Sequence, residues 1–259
     1  MMLDENIIRD NIFPLKLQQI TKLHIHKSVS STNDYLKNLS SNAAIHVCCA
    51  EFQTAGRGRR SKTWFSPPNE NIYCSMMIDL IMPSAKLSAL SLVIGLSVSQ
   101  VLQNLNIVKD TTLKWPNDVY WQDYKLSGVL IEVVHDHKKR QKAIIGIGLN
   151  VNSEFKNNDN QAWISLKDIT DNNYDRNLII AKLINQSYAN VQLLQNHGFA
   201  SFKTQWRSRD YLFGKEITAW QNQTKLSGIC NGLDDSAHLK LLTANGEILL
   251  SSADYNMKI

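Results

Sequence analysis

Gln53-Thr54-Ala55-Gly56-Arg57-Gly58-Arg59-Arg60-Ser61-Lys62-Thr63-Trp64 holds four cations, no acid, two closely spaced glycines and a closing aromatic. Glycine adopts backbone angles that other residues resist, so Gly56 and Gly58 predict a loop that bends tightly around something small. Arginine forks suit carboxylates and phosphates. The stretch predicts a flexible loop that condenses on an anion. Alone, the same basic run also reads as a nucleic-acid-contacting arm or a solvated face, and these readings stay open at this point.

Working outward, Ala44 to Glu51 is apolar almost throughout, which predicts a buried strand inside a sheet. Pro67 and Pro68 end the loop, and Asn71 to Leu80 predicts the returning strand. Loops pinned at both ends by strands are frequent sites of function. Upstream, Ser28 to Asp34 reads as a helix N-cap followed by Tyr35, Leu36 and Leu39 at helical spacing. Hydroxyls at a helix start can also hold a polar ligand group, but the cap is the simpler reading. Residues 1 to about 27 form a mixed lead-in in which Pro14 breaks any helix. His24 and His26 alternate about Ile25 on one face of a strand, and without a third ligand they read as structural.

Downstream, Leu87, Leu90, Ile94, Val98, Val101 and Leu105 recur at helical spacing and predict a core helix over Ala85 to Leu105. Its serines, glutamines and asparagine argue against a membrane span. Thr112 to Tyr120 reads as strand, turn, strand, with Pro116 and Asn117-Asp118 at the turn. Lys125-Leu126-Ser127-Gly128 leads into a strand over Val129 to Val134, and the charged run His135 to Lys142 predicts a solvated hairpin tip. Ala143 to Val151 predicts a buried strand, thinned by Gly146 and Gly148 where a backbone or ligand approaches closely. Two glycines without a third and a following helix are no dinucleotide fingerprint. Residues 153 to 176 are polar and read as loop, with Trp163 to Leu166 docking on the core. Helices follow over Asn177 to Gln195 and Phe199 to Arg207. From about Leu212 the pattern changes to short strands and turns, with Ile217, Ile229, Leu239, Leu241, Ile248 and Leu250 as strand interiors. A small β-barrel is predicted there.

A chain of 259 residues suits one large domain or one domain with a small appendage. The net charge of +5 fits anionic small molecules or an acidic protein partner better than a dedicated nucleic-acid binder. Cys48, Cys49, Cys74 and Cys230 form no CxxC pair, so neither zinc nor a disulfide framework is expected, and a reducing compartment is. Asp4, Glu5 and Asp10 make a poor signal peptide. A cytoplasmic protein without membrane attachment is expected.

Five motifs in register carry a resemblance. Ser31-Thr32-Asn33, Gly56-Arg57-Gly58-Arg59-Arg60 with Trp64-Phe65-Ser66-Pro67, Lys114-Trp115-Pro116-Asn117-Asp118, Lys125-Leu126-Ser127-Gly128 and Gly146-Ile147-Gly148-Leu149-Asn150-Val151 together resemble biotin–protein ligases. The resemblance implies an α+β fold: a mixed, largely antiparallel sheet flanked by helices, akin to class II aminoacyl-tRNA synthetases, followed by an SH3-like barrel. The corresponding expectation is a ligase domain over 1–211 and a barrel over 212–259. Lipoate–protein ligases share that fold, but the Gly-Arg-Gly-Arg-Arg and Lys-Trp-Pro-Asn-Asp pair is of the biotin type.

The resemblance implies two steps. Biotin and Mg2+-ATP give biotinyl-5'-AMP and pyrophosphate; a lysine of the biotin carboxyl carrier protein of acetyl-CoA carboxylase then displaces AMP. A carboxylate attacking a phosphate needs cations fixed between the two anions. By analogy Arg57, Arg59, Lys125 and, more weakly, Asp118 form the catalytic group. Ser31, Thr32, Asn33, Gln53, Gly56, Gly58 and Gly128 join Arg57, Arg59 and Lys125 around biotin. Trp64, Asn117 and Asn150 join the same cations around the nucleotide. No protein-held metal and no nucleic acid are expected, and the assembly is a monomer or homodimer. Two departures stand out: Ser61, Lys62 and Thr63 replace a further glycine and arginine, and the 27 residues before Ser28 are too short for the DNA-binding repressor domain of bifunctional members.

Overall fold

The computed structural model describes residues 2–39, 45–81, 87–135, 141–154, 163–221, 224–251 and 256–258. Two short helices, α1 (Glu5–Asp10) and α2 (Leu15–Ile20), precede β1 (Thr21–His26). Pro14 therefore begins a helix, as the N-cap residue of α2, where the sequence predicted only a break. The ring restricts φ without demanding an N–H that a first turn would leave unpaired anyway. Then follow α3 (Thr32–Lys37), β2 (Ile45–Ala50), β3 (Ile72–Asp79) and α4 (Leu87–Asn104). Next come β4 (Thr111–Lys114), β5 (Asp118–Trp121), β6 (Tyr124–His135) and β7 (Gln141–Leu149). The predicted hairpin tip is entered from His135, paired with Gln141; residues 136–140 lie outside the described residues.

These seven strands form one sheet in the order β1-β2-β3-β7-β6-β5-β4. β1 and β2 are parallel and every other neighbouring pair is antiparallel. Strand side chains alternate between faces, and the core follows that period. Val47 and Cys49 point into the main core with Cys74, Met76 and Ile145. Cys48, Met77 and Ile144 point the other way and are covered by Leu36 of α3. α4 is long and apolar enough to cross a membrane, but 67% of it is buried among its own neighbours, so it is a core helix.

Within the polar stretch 153–176 the chain forms a helix the sequence reading missed, α5 (Leu166–Thr170), started by a reciprocal capping box between Ser165 and Asp168. α6 (Arg176–His197) then packs on α4. Its first residue, Arg176, is fully buried and donates to Glu51 at 2.6 Å and to the Asn71 carbonyl at 3.1 Å. A 3-10 turn (Phe199–Phe202) leads into α7 (Lys203–Arg207).

A second, antiparallel sheet of five strands ends the chain: β8 (Glu216–Gln221), β9 (Thr224–Leu233), β10 (Leu239–Thr243), β11 (Gly246–Leu250) and β12 (Asn256–Lys258), in the order β11-β10-β9-β8-β12. Ile217, Leu239, Leu241 and Leu250 are buried in it as expected, whereas Ile229 is 50% exposed. The two sheets are tied where Leu113 donates to Arg209 O (2.7 Å) and Tyr211 donates to Leu113 O (3.0 Å).

Candidate active site

The register of three central strands sets the floor of a cleft. Gly128, Gly148 and Tyr73 lie in one cross-strand row, and Leu130, Gly146 and Ser75 lie in the next. All six face the side of the sheet that carries α3. A Cβ at Gly146 would stand 3.1 Å from Asn33 Cγ, and one at Gly148 would stand 2.5 Å from the Trp64 indole. A Cβ at Gly128 would stand 2.9 Å from the same indole and 3.2 Å from Lys125 Nζ. The glycines therefore clear space for Asn33, Trp64 and Lys125 to lie directly on the sheet. The cleft over this floor has a volume of about 930 Å3 and brings together Ser31, Thr32, Asn33, Gln53, Arg57, Gly58, Arg59, Trp64, Asn117, Asp118, Lys125, Gly128 and Asn150.

At one end, Ser31, Thr32 and Asn33 are buried. Ser31 occupies the N-cap position of α3, yet its side chain makes no capping bond. The Thr32 amide donates to Gln53 Oε1 at 2.9 Å, and Gln53 Nε2 donates to Ser66 Oγ at 3.1 Å. The Ser75 hydroxyl donates to Asn33 Oδ1 at 2.6 Å and lies 2.7 Å from the Thr32 hydroxyl. Asn33 Nδ2 donates to Glu132 at 2.8 Å. This end is a chain of interlocked donors and acceptors, suited to a neutral polar group.

The basic loop crosses the cleft. Its backbone closes on itself: Trp64 N donates to Gly56 O (2.9 Å) and Gly58 N donates to Lys62 O (2.7 Å). The tight bend expected at the glycines is made instead by left-handed angles at Arg60 (φ 55) and Ser61 (φ 58), within the 3-10 turn Arg59–Ser61. Gly58 is extended, and Gly56 is required by space, because a Cβ there would meet Ser66 Oγ at 2.7 Å. Arg57 is half-exposed and ion-paired with Asp34 and, at 3.1 Å, with Glu132. Burial and the neighbouring Arg60 weaken the hold of Arg59 on its proton, while Asp118 opposes them.

Lys125 closes the other side. Its ammonium lies 2.7 Å from Asp118 Oδ1 and 5.3 Å from the centre of the Trp64 ring. The Trp64 indole N–H is buried without a hydrogen-bond partner among the described residues. Asn117 and Asn150 line the cleft with their amide nitrogens engaged: Asn117 Nδ2 donates to Val129 O (2.8 Å), and Asn150 Nδ2 donates to Ile164 O (3.1 Å). Ile164 N in turn donates to Lys125 O at 3.0 Å, so Asn150 and the Trp163-Ile164 segment brace the lysine backbone. Among the described residues no three His, Cys, Asp or Glu side chains stand close enough to hold a metal ion.

Sequence reasoning missed Ser75 and Glu132, which join α3 to the sheet and to Arg57. Each is a lone polar residue inside an apolar strand, and a buried polar group needs a partner. That was the available signal. His24 and His26 do share a face, against Tyr35, and the third imidazole absent from the sequence reading is His46, whose Nδ1 lies 3.0 Å from His24 Nε2.

A family model described as the Biotin/lipoate A/B protein ligase family matches residues 25–150. The bifunctional ligase/repressor BirA of Escherichia coli is 35% identical over 236 residues, covering 87% of this chain and 73% of that protein. The biotin–[acetyl-CoA-carboxylase] ligase of Mycobacterium tuberculosis is 30% identical, covering 97% and 94%. A solved structure of biotin protein ligase from Aquifex aeolicus in complex with biotin and ATP superposes with a TM-score of 0.81 at 31% identity, covering 92% of this chain and 98% of that one. With its glycine-floored cleft and basic loop, this chain belongs to the biotin/lipoate A/B protein ligase family, among its biotin–protein ligases.

Proposed function

We propose that this chain is an ATP-dependent biotin–protein ligase that makes biotinyl-5'-AMP and passes biotin to a lysine of the biotin carboxyl carrier protein of acetyl-CoA carboxylase. One observation carries the reading: the Lys125 ammonium stands beside Gly128, held by Asp118 at 2.7 Å and facing the Trp64 ring, which lies on Gly128 and Gly148. A fixed cation beside a flat aromatic and a slot of glycines suits an acyl-phosphate joined to a nucleoside.

In this reading the interlocked Ser31, Thr32, Asn33 and Gln53 take the ureido ring of biotin, and its carboxylate reaches Lys125. ATP enters as its magnesium salt, its purine against Trp64 and its α-phosphate beside Lys125, Arg57 and Arg59. The carboxylate oxygen attacks the α-phosphorus and pyrophosphate leaves. Lys125 lowers the repulsion between the two anions as they approach. Asp118 fixes the ammonium and keeps it from folding back on solvent. The product is a mixed anhydride, so water has to be kept out, and the loop from Gln53 to Trp64 covers it. Arg60 and Ser61, in angles that disfavour L-residues by about 1 kcal/mol each, mark where that loop reopens for the acceptor. Residues 1–211 form the ligase domain and 212–259 an SH3-like barrel, and the enzyme works in the cytoplasm.

The test is avidin-detected transfer of biotin to a carrier domain with Mg-ATP and the purified, folded chain. Absence of transfer to a cognate acceptor overturns the proposal.

A further inference from the structure

The basic loop leaves the main sheet at Glu51, the residue after β2, and returns at Asn71, the residue before β3. Both feet are buried, Glu51 at 4% exposure and Asn71 at 1%, and one side chain reaches both. Arg176, at the start of α6, donates through Nη1 to Glu51 Oε2 at 2.6 Å and to the Asn71 carbonyl at 3.1 Å. The other Glu51 oxygen accepts from the Leu3 amide. Asn71 carries the link onward, because its Oδ1 accepts from Val151 N at 2.8 Å and from the Ser153 hydroxyl at 3.0 Å. Val151 follows Asn150, whose amide donates to Leu126 O at 3.1 Å, beside Lys125.

Arg176 and Glu51 do not line the cleft, whereas Gln53, Asn71 and Asn150 do. Position therefore passes from the buried pair to the cleft through the residues it holds. Stability is a poor account of the pair. Taking two charges out of water costs about what their attraction returns, and apolar residues of the same size often hold a fold as well. What an ion pair adds is direction, since the planar guanidinium sets the distance and the angle of the groups it joins. Here those groups are the two ends of one loop. A loop with fixed ends loses less freedom on closing than one whose ends drift.

We propose that Arg176 and Glu51 are positioning residues for adenylation, which hold the feet of the loop from Gln53 to Trp64 in the register from which it covers biotinyl-AMP. The part that concerns the intermediate rests on the ligase reading above; the anchoring of the loop does not. The Ser31–Asn33 end of the cleft is held separately, by Ser75 on β3 and Glu132 on β6. Loss of the pair therefore falls on retention of the adenylate rather than on biotin binding.

The test uses the full chain and two variants. One carries Glu51→Met and Arg176→Met together, an apolar pair that leaves no charge buried alone. The other is Arg176→Lys, which keeps the charge and loses the fork. Thermal midpoints check folding. Trypsin cleavage inside the loop, at Arg57, Arg59, Arg60 and Lys62, reports whether its feet are held. Release of preformed biotinyl-AMP and the Kd of biotin alone report the site. The double variant should keep a midpoint near that of the wild type, yet be cut in the loop and release biotinyl-AMP about tenfold faster, with biotin affinity changed less than about threefold. Arg176→Lys should fall between the two on both rates. A folded double variant that is cut and releases at wild-type rates overturns the proposal, as does a loss confined to biotin affinity. Where the double variant does not fold, wild-type rates in Arg176→Lys overturn it equally. A wild type that neither makes nor holds biotinyl-AMP, while loop cleavage still rises in the variants, overturns the ligase reading and leaves the anchoring standing.

Discussion

Lys125→Ala should slow biotinyl-AMP formation by roughly a thousandfold. Two unit anions brought to about 4 Å repel by about 4 kcal/mol at the effective dielectric of a protein surface, and an ammonium between them attracts each by a similar amount. The Lys125 side chain is 24% exposed, so solvent discounts that gain. A net loss of about 3 kcal/mol remains, worth more than a hundredfold in rate. The deletion acts a second time through Asp118, 20% exposed and 2.7 Å from the ammonium. Without its partner this carboxylate faces the substrate anions and adds on the order of 1 kcal/mol.

The second effect gives the reasoning its sharpest check. Asp118→Asn added to Lys125→Ala should restore about fivefold, because the repulsive charge disappears with the attractive one. The assay is single-turnover conversion of labelled ATP to biotinyl-AMP, alongside thermal midpoints showing that both variants fold. Lys125→Ala within threefold of the wild type would refute the charge-bridging role. A double variant slower than the single one would refute the account of Asp118.

Gly148→Ala should raise the KM for ATP at least tenfold, since its Cβ would meet the indole of Trp64 at 2.5 Å; an unchanged KM means that the ring is not part of the nucleotide site. Glu132→Ala releases Asn33 and Arg57 together, so the KM values for biotin and ATP should both rise, by about fivefold for hydrogen bonds to a partly exposed carboxylate. A rise in neither would show that Glu132 only fills the sheet face. Burial holds His46 neutral down to about 4 when folded, whereas unfolded it takes up a proton near 6.5. Its contribution is therefore complete above pH 6.5 and is lost as pH falls towards about 4, on the order of 3 kcal/mol at the bottom of that window. Urea midpoints at about pH 7 and about pH 4.5 should diverge less in His46→Gln than in the wild type, and equal divergence would contradict it.

The strands and both long helices were readable because burial imposes a period on the sequence. Ile45 to Ala50 is apolar but for His46 because both sheet faces are covered there, by α3 and by the main core. The site was readable in another way, through motifs far apart in sequence whose common floor no local pattern reveals. Cross-strand register brings Gly128 opposite Gly148, and neither glycine announces that it makes room for Trp64. α5 escaped notice because its five residues hold too few apolar positions for a period and are specified by a capping box instead. Pro14 shows the converse, a residue whose effect depends on which side of it the helix begins.

The loop sharpens the distinction between glycine as a hinge and glycine as a space. Read alone, Gly56 and Gly58 promised freedom of the backbone, yet the left-handed angles lie at Arg60 and Ser61. The conformation is therefore held by partners rather than by intrinsic preference. One side-chain tether is Arg57, 38% exposed, against Asp34, 34% exposed, with Glu132 behind. Ion pairs so open to solvent are worth at most about 1 kcal/mol, comparable to the strain at Arg60 and Ser61. On the ligase reading, an anion in the cleft adds to what holds such a loop shut. If Arg57 meets the α-phosphate as proposed, that anion arrives at adenylation and is withdrawn when AMP leaves, which would link closure of the loop to the presence of the intermediate.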